Sequence, residues 1–383
     1  MNMSVKFPEN SKSQYLNPEQ VEAFGRRVEE IRREVMENLG EADAKYIYKI
    51  RNFVRYSEIA SRGMLMFGGW IPPVWLAGTG LLGLSKIVEN MELGHNVMHG
   101  QFDWLNDPSL NGANYDWDTI ATGDDWKHTH NYVHHTYTNI VGKDHDVGYG
   151  LLRVSEQQKW EPRFLFNIPL GIQLMVLFEW YVGVQNLHLE DALVYKTKTW
   201  KQVWSDSTKF RKKLVRQVGK DYVFFPLIAG PNAVPVFLGN AVANVIRSLW
   251  ASAVIFNGHF TEDAETFEED NTATETRAQW YLRQIRGSSN FSGTEWLHIL
   301  SGNLSHQIEH HLFPDMPANR YAEVAPKIKA LCEEYGVNYN EANFVKQFWS
   351  VWVRLAKCSL PNGYTDQVSS KIQKMKTIFS LSK

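Results

Sequence analysis

Residues 63–99 read GMLMFGGWIPPVWLAGTGLLGLSKIVENMELGHNVMH, an apolar run that leads directly into two histidines four apart. The 23 residues from Gly63 to Ser85 carry no charge, and about 20 apolar residues suffice to cross a bilayer. Pro72-Pro73 interrupts the run where a tight turn between two short spans would break a helix. The sequence therefore predicts a helical hairpin, roughly 57–74 and 76–94, whose second arm delivers His95 and His99 to the water side. Two more blocks have the same character: Phe164 to Tyr181 is broken only by Glu179, and Tyr222 to Ile246 is charge-free for 25 residues. They predict spans at about 164–186 and 222–246; a buried core helix is the alternative reading of each block.

The expected fold is an all-α membrane protein of about four transmembrane helices with a cytoplasmic helical cap. Residues 1–56 form an N-terminal helical arm, 57–340 the main domain and 341–383 a helical tail. Arg26, Arg27, Arg32, Arg33, Lys45, Lys49, Arg51, Arg55 and Arg62 precede the first span and place the N-terminus in the cytoplasm. Pairing 164–186 with 222–246 returns the third histidine cluster to that side but leaves the basic stretch Lys196 to Lys220 outside, against the charge rule. The alternative makes 164–186 interfacial and folds 222–259 into a hairpin, with Arg247 at a costly depth in the membrane. The first arrangement is preferred. A net charge of −2 gives no case for nucleic acid.

Eight of the thirteen histidines fall in three clusters: HNVMH at 95–99, HNYVHH at 130–135 and HQIEHH at 306–311. An even scatter would place about 0.6 there, by counting. Imidazole is the commonest protein ligand of iron, zinc and copper, and one ion rarely takes more than three or four protein ligands. Eight therefore point to two metals. On an α-helix His95 and His99 share a face, as do His130 and His134, and His306 and His310. His135 and His311 each turn about 100° from their neighbour, which lets adjacent imidazoles serve different ions. Singly, each cluster reads as surface or core histidines; together, no packing or capping role explains repeated i, i+4, i+5 imidazoles. All-imidazole ligation suits iron, with zinc open. Cys332 and Cys358 lie far from the clusters and form no C-x-x-C. His128, His145, His188 and His298 are weaker candidates.

The remaining signals are structural. Asn17-Pro18-Glu19-Gln20 reads as a capped helix start, and Val21, Phe24, Val28, Ile31 and Val35 make a stripe of packing surface. Met1 to Gln20 lacks the apolar stretch of a signal peptide. Gly78-Thr-Gly80-Leu-Leu-Gly83 matches a dinucleotide fingerprint literally, yet it interrupts an apolar span, where small residues serve close helix contact. Asn290 and Asn303 begin weak glycosylation matches. The acidic run Glu262 to Asp270 is a solvated loop.

With these clusters on apolar spans, the chain resembles the integral-membrane fatty acid desaturases, over roughly residues 45–340. GHNVMHGQFDW is similar to the family's H-x-x-x-H, WKHTHNYVHHTYTN to its H-x-x-x-H-H and SHQIEHHLFP to its third box; QIEHHLFP is most like the front-end and bacterial acyl-CoA members. The resemblance implies a four-span mushroom with two irons in a cytoplasmic cap and an acyl tunnel beneath. It adds His259, in FNGHF, where the family has another ligand; the usual partner four residues earlier is Ile255 here. The family's first ligand of the third box falls on Gln307, beside His306, which is preferred because imidazole is the better ligand. The implied metal ligands are His95, His99, His130, His134, His135, His259, His306, His310 and His311. No HPGG motif of a fused cytochrome-b5-type domain is present, so electrons come from a separate donor, a ferredoxin and reductase or a cytochrome-b5-type protein.

The implied reaction inserts a cis double bond into a fatty acyl chain, acyl-CoA being favoured, with O2 as co-substrate at a di-iron centre. The expected location is the bacterial inner membrane, with the metal site cytoplasmic. Each ligand needs its second nitrogen oriented, and Glu92, Asp124, Asp125, Asp144, Asp146 and Glu309 are candidates for that. Two rivals remain: a lipid hydroxylase on the same scaffold, and a metal transporter, which would need its ligands at mid-membrane rather than beside polar segments.

Overall fold

A computed structural model describes residues 16–187, 189–193, 196–268 and 274–364. His188, the end of the acidic run at 269–270, most of the signal-peptide region and the tail beyond 364 lie outside these. The fold is mostly helical; the described strands, Asn290–Ser292 and Glu341–Asn343, pair in parallel. α1, Pro18–Met36, begins where the cap signal placed it, with Asn17 and Gln20 exchanging side-chain to backbone hydrogen bonds of 2.9 Å. Val21, Phe24, Val28 and Val35 are buried in a core shared with Tyr281, Ile285, Ile308, Leu312, Phe313 and Tyr321. That core fixes the segment carrying the third histidine cluster.

α2, Glu41–Gly68, is one helix that crosses the expected boundary at residue 56. α3 follows at Pro72–Val88. The turn therefore comes a few residues earlier than predicted, because Pro72 is accommodated in the first turn of a helix, where no backbone donor is needed. Gly78 and Gly83 explain the glycine pattern: an added Cβ would lie 3.1 Å from Met64 Cβ on α2 and 3.2 Å from Ile246 on a later helix.

The expected span over 164–186 is bent rather than continuous. Pro162–Val176 and Phe178–Gln185 meet at an 89° bend. Helical turns run from Thr208 to Ile228, and a long helix follows over Gly230–His259. The two hairpin turns adjoin, since the Trp70 and Trp75 indoles donate to the Pro231 and Pro235 carbonyls at 2.8 Å. The basic stretch packs on the segment joining clusters one and two: Lys209 pairs with Asp124, Lys213 with Asp116 and Lys220 with Asp118. Arg247 is buried but paired with Glu179, which offsets the cost expected for a lone charge.

By length and composition, Gly230–His259 is the one described helix able to cross a membrane, or one of two if the bent pair is a single span. Its polarity is inverted relative to a water-facing helix. Asn240, Asn244, Arg247, Ser248, Ser252, Asn257 and His259 are buried. Val234, Phe237, Leu238, Val242, Val245 and Leu249 face outward. Ile59 and Phe67 on α2, and Val223, Phe224 and Leu227, continue this exposed apolar surface, with Phe67 85% exposed.

Candidate metal centre

The first cluster follows α3 through a π-helical stretch, Glu89–His95, and the second lies in another, Lys127–His134. Such wide turns are rare and concentrate at functional sites. They change the angular spacing, yet His130 and His134 stay neighbours as expected, their rings stacked 5.0 Å apart with Asp146 beside both. One group is His95, His99, His130 and His310, another is His134, His259 and His311, and a third, His130, His134 and Asp146, links them, the candidate ligand atoms within each lying within 4.8 Å of one another. His135 sits between them, its ring centroid 4.8 Å from His99 and His310 and 4.4 Å from His311.

The hydrogen bonding is one-sided. His134 Nδ1 lies 2.9 Å from the Asp144 carboxylate and His130 Nδ1 3.4 Å from Asp146. His95 Nδ1 meets Asn96 at 3.0 Å, His310 Nδ1 the Tyr321 hydroxyl at 3.3 Å, and His311 Nδ1 both Gln284 at 3.0 Å and Thr138 at 3.2 Å. The opposite nitrogens of His95, His99, His130 and His310 are buried with no partner, as are both of His135. A buried imidazole nitrogen left unpaired is costly. Four converging on one spot, those of His95, His130 and His310 turned by an outer partner, form the donor set a metal ion completes. In the second group His259 and His311 face each other, Nε2 to Nε2, at 3.1 Å.

Electrostatics agree with this. Burial holds His99, His130, His135, His310 and His311 well below the usual imidazole value and His95 at about 4, so these rings are neutral and able to bind a cation. His134 moves the other way: burial pulls it down, and the Asp144 and Asp146 carboxylates outweigh that and raise it.

His306 is placed differently from the expectation. It caps the helix Gln307–Leu312 in a non-helical conformation, φ −103° and ψ 54°, so it shares no helical face with His310. Its ring stacks on His298 at 4.9 Å. Gln307 takes the inward position, its side-chain nitrogen 3.0 Å from His259 Nε2. Of the acids considered, Asp144 and Asp146 reach imidazoles. Glu92 accepts from Tyr46 and Asn303, Glu309 from Asn290 and Tyr339, and Asp124 pairs with Lys209. Asn96, Thr138, Gln284 and Tyr321 had no signature in spacing, nor had Trp126, stacked 4.4 Å from His130. Only Asn96, beside His95, had its position in the sequence as a cue.

Below the histidines lies a narrow cavity. His95, His130, His134, His259 and Gln307 form its roof, and Met91, Trp117, Phe178, Val182, Ala251 and Ile255 its apolar walls. Imidazole groups that could hold metal above a greasy slot suit chemistry on a long apolar substrate.

Comparison with known proteins agrees. The fatty acid desaturase family model matches residues 69–343. The chain is 42% identical over 355 residues to a NADPH-dependent stearoyl-CoA 9-desaturase of Mycobacterium tuberculosis, covering 91% of this chain and 82% of that one. It is 27% identical over 283 residues to an sn-1 linoleoyl-lipid 6-desaturase of Synechocystis, covering 72% and 77%. A Physcomitrium patens acyl-lipid (8-3)-desaturase is 26% identical over 266 residues, covering 67% and 55%.

Proposed function

The chain belongs to the fatty acid desaturases, oxidoreductases of lipid metabolism, and from that premise we propose that it is an O2-dependent di-iron enzyme inserting a cis double bond into an acyl-CoA. The observation that carries this reading is the roof of unpaired imidazole nitrogens over an apolar cavity. His95, His99, His130 and His310 would hold one iron and His134, His259 and His311 the other. His135 lies between the two groups, and Gln307 rather than His306 is at the second. The irons would supply, with O2, the oxidising power needed to remove hydrogens from an unactivated methylene.

The protein's own work is positioning. Asp144, Asp146, Gln284 and Tyr321 fix the imidazole planes from outside. Trp126, Met91, Phe178 and Ile255 keep water from the reacting carbons and hold the chain under the roof. The mycobacterial relative's stated dependence on NADPH supports electrons arriving from reduced nicotinamide through a separate redox protein. The inverted polarity of the long helix supports a multi-pass enzyme of the bacterial inner membrane. Its spans would include the uncharged end of α2, α3 and the long helix, with the metal centre at the cytoplasmic face.

The test is incubation of purified protein with stearoyl-CoA, O2, NADPH and a compatible reductase, followed by mass spectrometry of the acyl chain. Loss of two hydrogens is expected. Gain of an oxygen atom would make the protein a hydroxylase, and iron transport into liposomes without oxygen use would make it a transporter.

A further inference from the structure

The cavity has a charged end. Each wall can be followed away from the histidines: along the long helix from His259 through Ile255, Ala251 and Ser248 to Arg247, and along Phe178–Gln185 from Gln185 through Val182 to Glu179. The segment leading to cluster two likewise descends from His130 through Trp126 and Ala121 to Thr119. All three end at one knot. Arg247 pairs with Glu179 and donates to the Asp118 carbonyl at 2.8 Å, while Glu179 accepts from the Ile120 amide at 3.1 Å. Behind it, Lys86 binds Asp118 at 3.1 Å and Asp221 at 2.9 Å, and Arg62 binds Asp221 at 3.1 Å. Arg247 is only 2% exposed.

From Arg247 to His259 the helix rises about 18 Å, comparable to one leaflet of a hydrocarbon core about 30 Å thick. That suits a single extended acyl chain. A polar head group stays beyond the histidines, on the water side, so the methyl end points at the knot. Each methylene buried in an apolar slot tightens binding by about fourfold. Parting a buried ion pair costs far more. Chain growth is rewarded until the methyl group meets the pair, and then stops.

We propose that the Arg247–Glu179 pair is the floor of the substrate cavity and sets the longest acyl chain the enzyme accepts. The inference rests on the desaturase reading above. The experiment measures binding of saturated acyl-CoAs of graded length to the purified full chain by thermal shift and calorimetry, alongside the product spectrum. For wild type, affinity rises with length to a limit. The double substitution Arg247→Met with Glu179→Leu, an apolar replacement of similar volume, moves the limit to longer chains, with about fourfold tighter binding for each added methylene that gains room. Ser248→Phe, just above the floor, shortens the limit, and Ala251→Phe, a turn nearer the histidines, shortens it further. Unchanged limits in the double variant, or in Ser248→Phe should the double variant not fold, overturn the floor assignment while leaving the desaturase reading intact. Absence of both acyl-CoA binding and desaturated product in wild type overturns the reading itself, and the floor with it.

Discussion

The two ends of the cavity bury polar groups in opposite ways. At the roof, imidazole nitrogens are turned inward and left without partners. At the floor, Arg247, Glu179, Lys86, Asp118, Asp221 and Arg62 satisfy one another. Burial alone therefore does not mark a functional site. Several unsatisfied imidazole nitrogens converging on one spot do, because the combined cost is offset where a ligand completes them. The floor is closed by the chain itself; the roof requires a ligand.

The contrast breaks most visibly at the roof. His310→Ala or His134→Ala should lower turnover more than about 100-fold and strip metal from its group, with the helical fold retained by circular dichroism. Full turnover in either variant would remove that histidine from the centre. The floor should respond through stability instead. Glu179→Leu alone leaves Arg247 buried and unpaired and should cost about 3–5 kcal/mol. The double variant with Arg247→Met should recover most of that in chemical denaturation, and a double variant as unstable as the single one would deny that the pair is self-contained.

An intermediate effect is expected outside the roof. Asp144→Asn keeps His134 in place but weakens its orientation, and should lower metal affinity or activity about 10- to 100-fold. An unchanged affinity would show that His134 is held by packing alone. The smallest contrast separates neighbours: Gln307→Ala should weaken metal at the second group severalfold, whereas His306→Ala should leave metal content unchanged. The reverse result would return His306 to the ligand set.

These last residues show what the sequence conceals. Clustering of imidazoles made the centre legible, and the charge-free blocks together with Pro72-Pro73 made the first hairpin legible. The division of ligands was not, because helical spacing was applied where the backbone is not α-helical. Lys127–His134 winds as a π-helix, in which the stacked His130 and His134 share Asp146 yet each also joins a different set of imidazoles. His306 stands at a non-helical junction, which turns it to His298 and brings Gln307 inward. The apolarity of 164–186 was legible but its 89° bend was not. Arg247 seemed to forbid the second hairpin only because Glu179, 68 residues away in sequence, could not be known as its partner.

The central claim is that two groups of imidazoles each complete a metal ion above the cavity. Elemental analysis of protein purified under anaerobic conditions and reconstituted with ferrous iron tests it directly. The expected content is about two irons per chain, one for each group, falling to about one in His310→Ala. Wild-type protein that is folded and binds acyl-CoA yet retains no transition metal would contradict it.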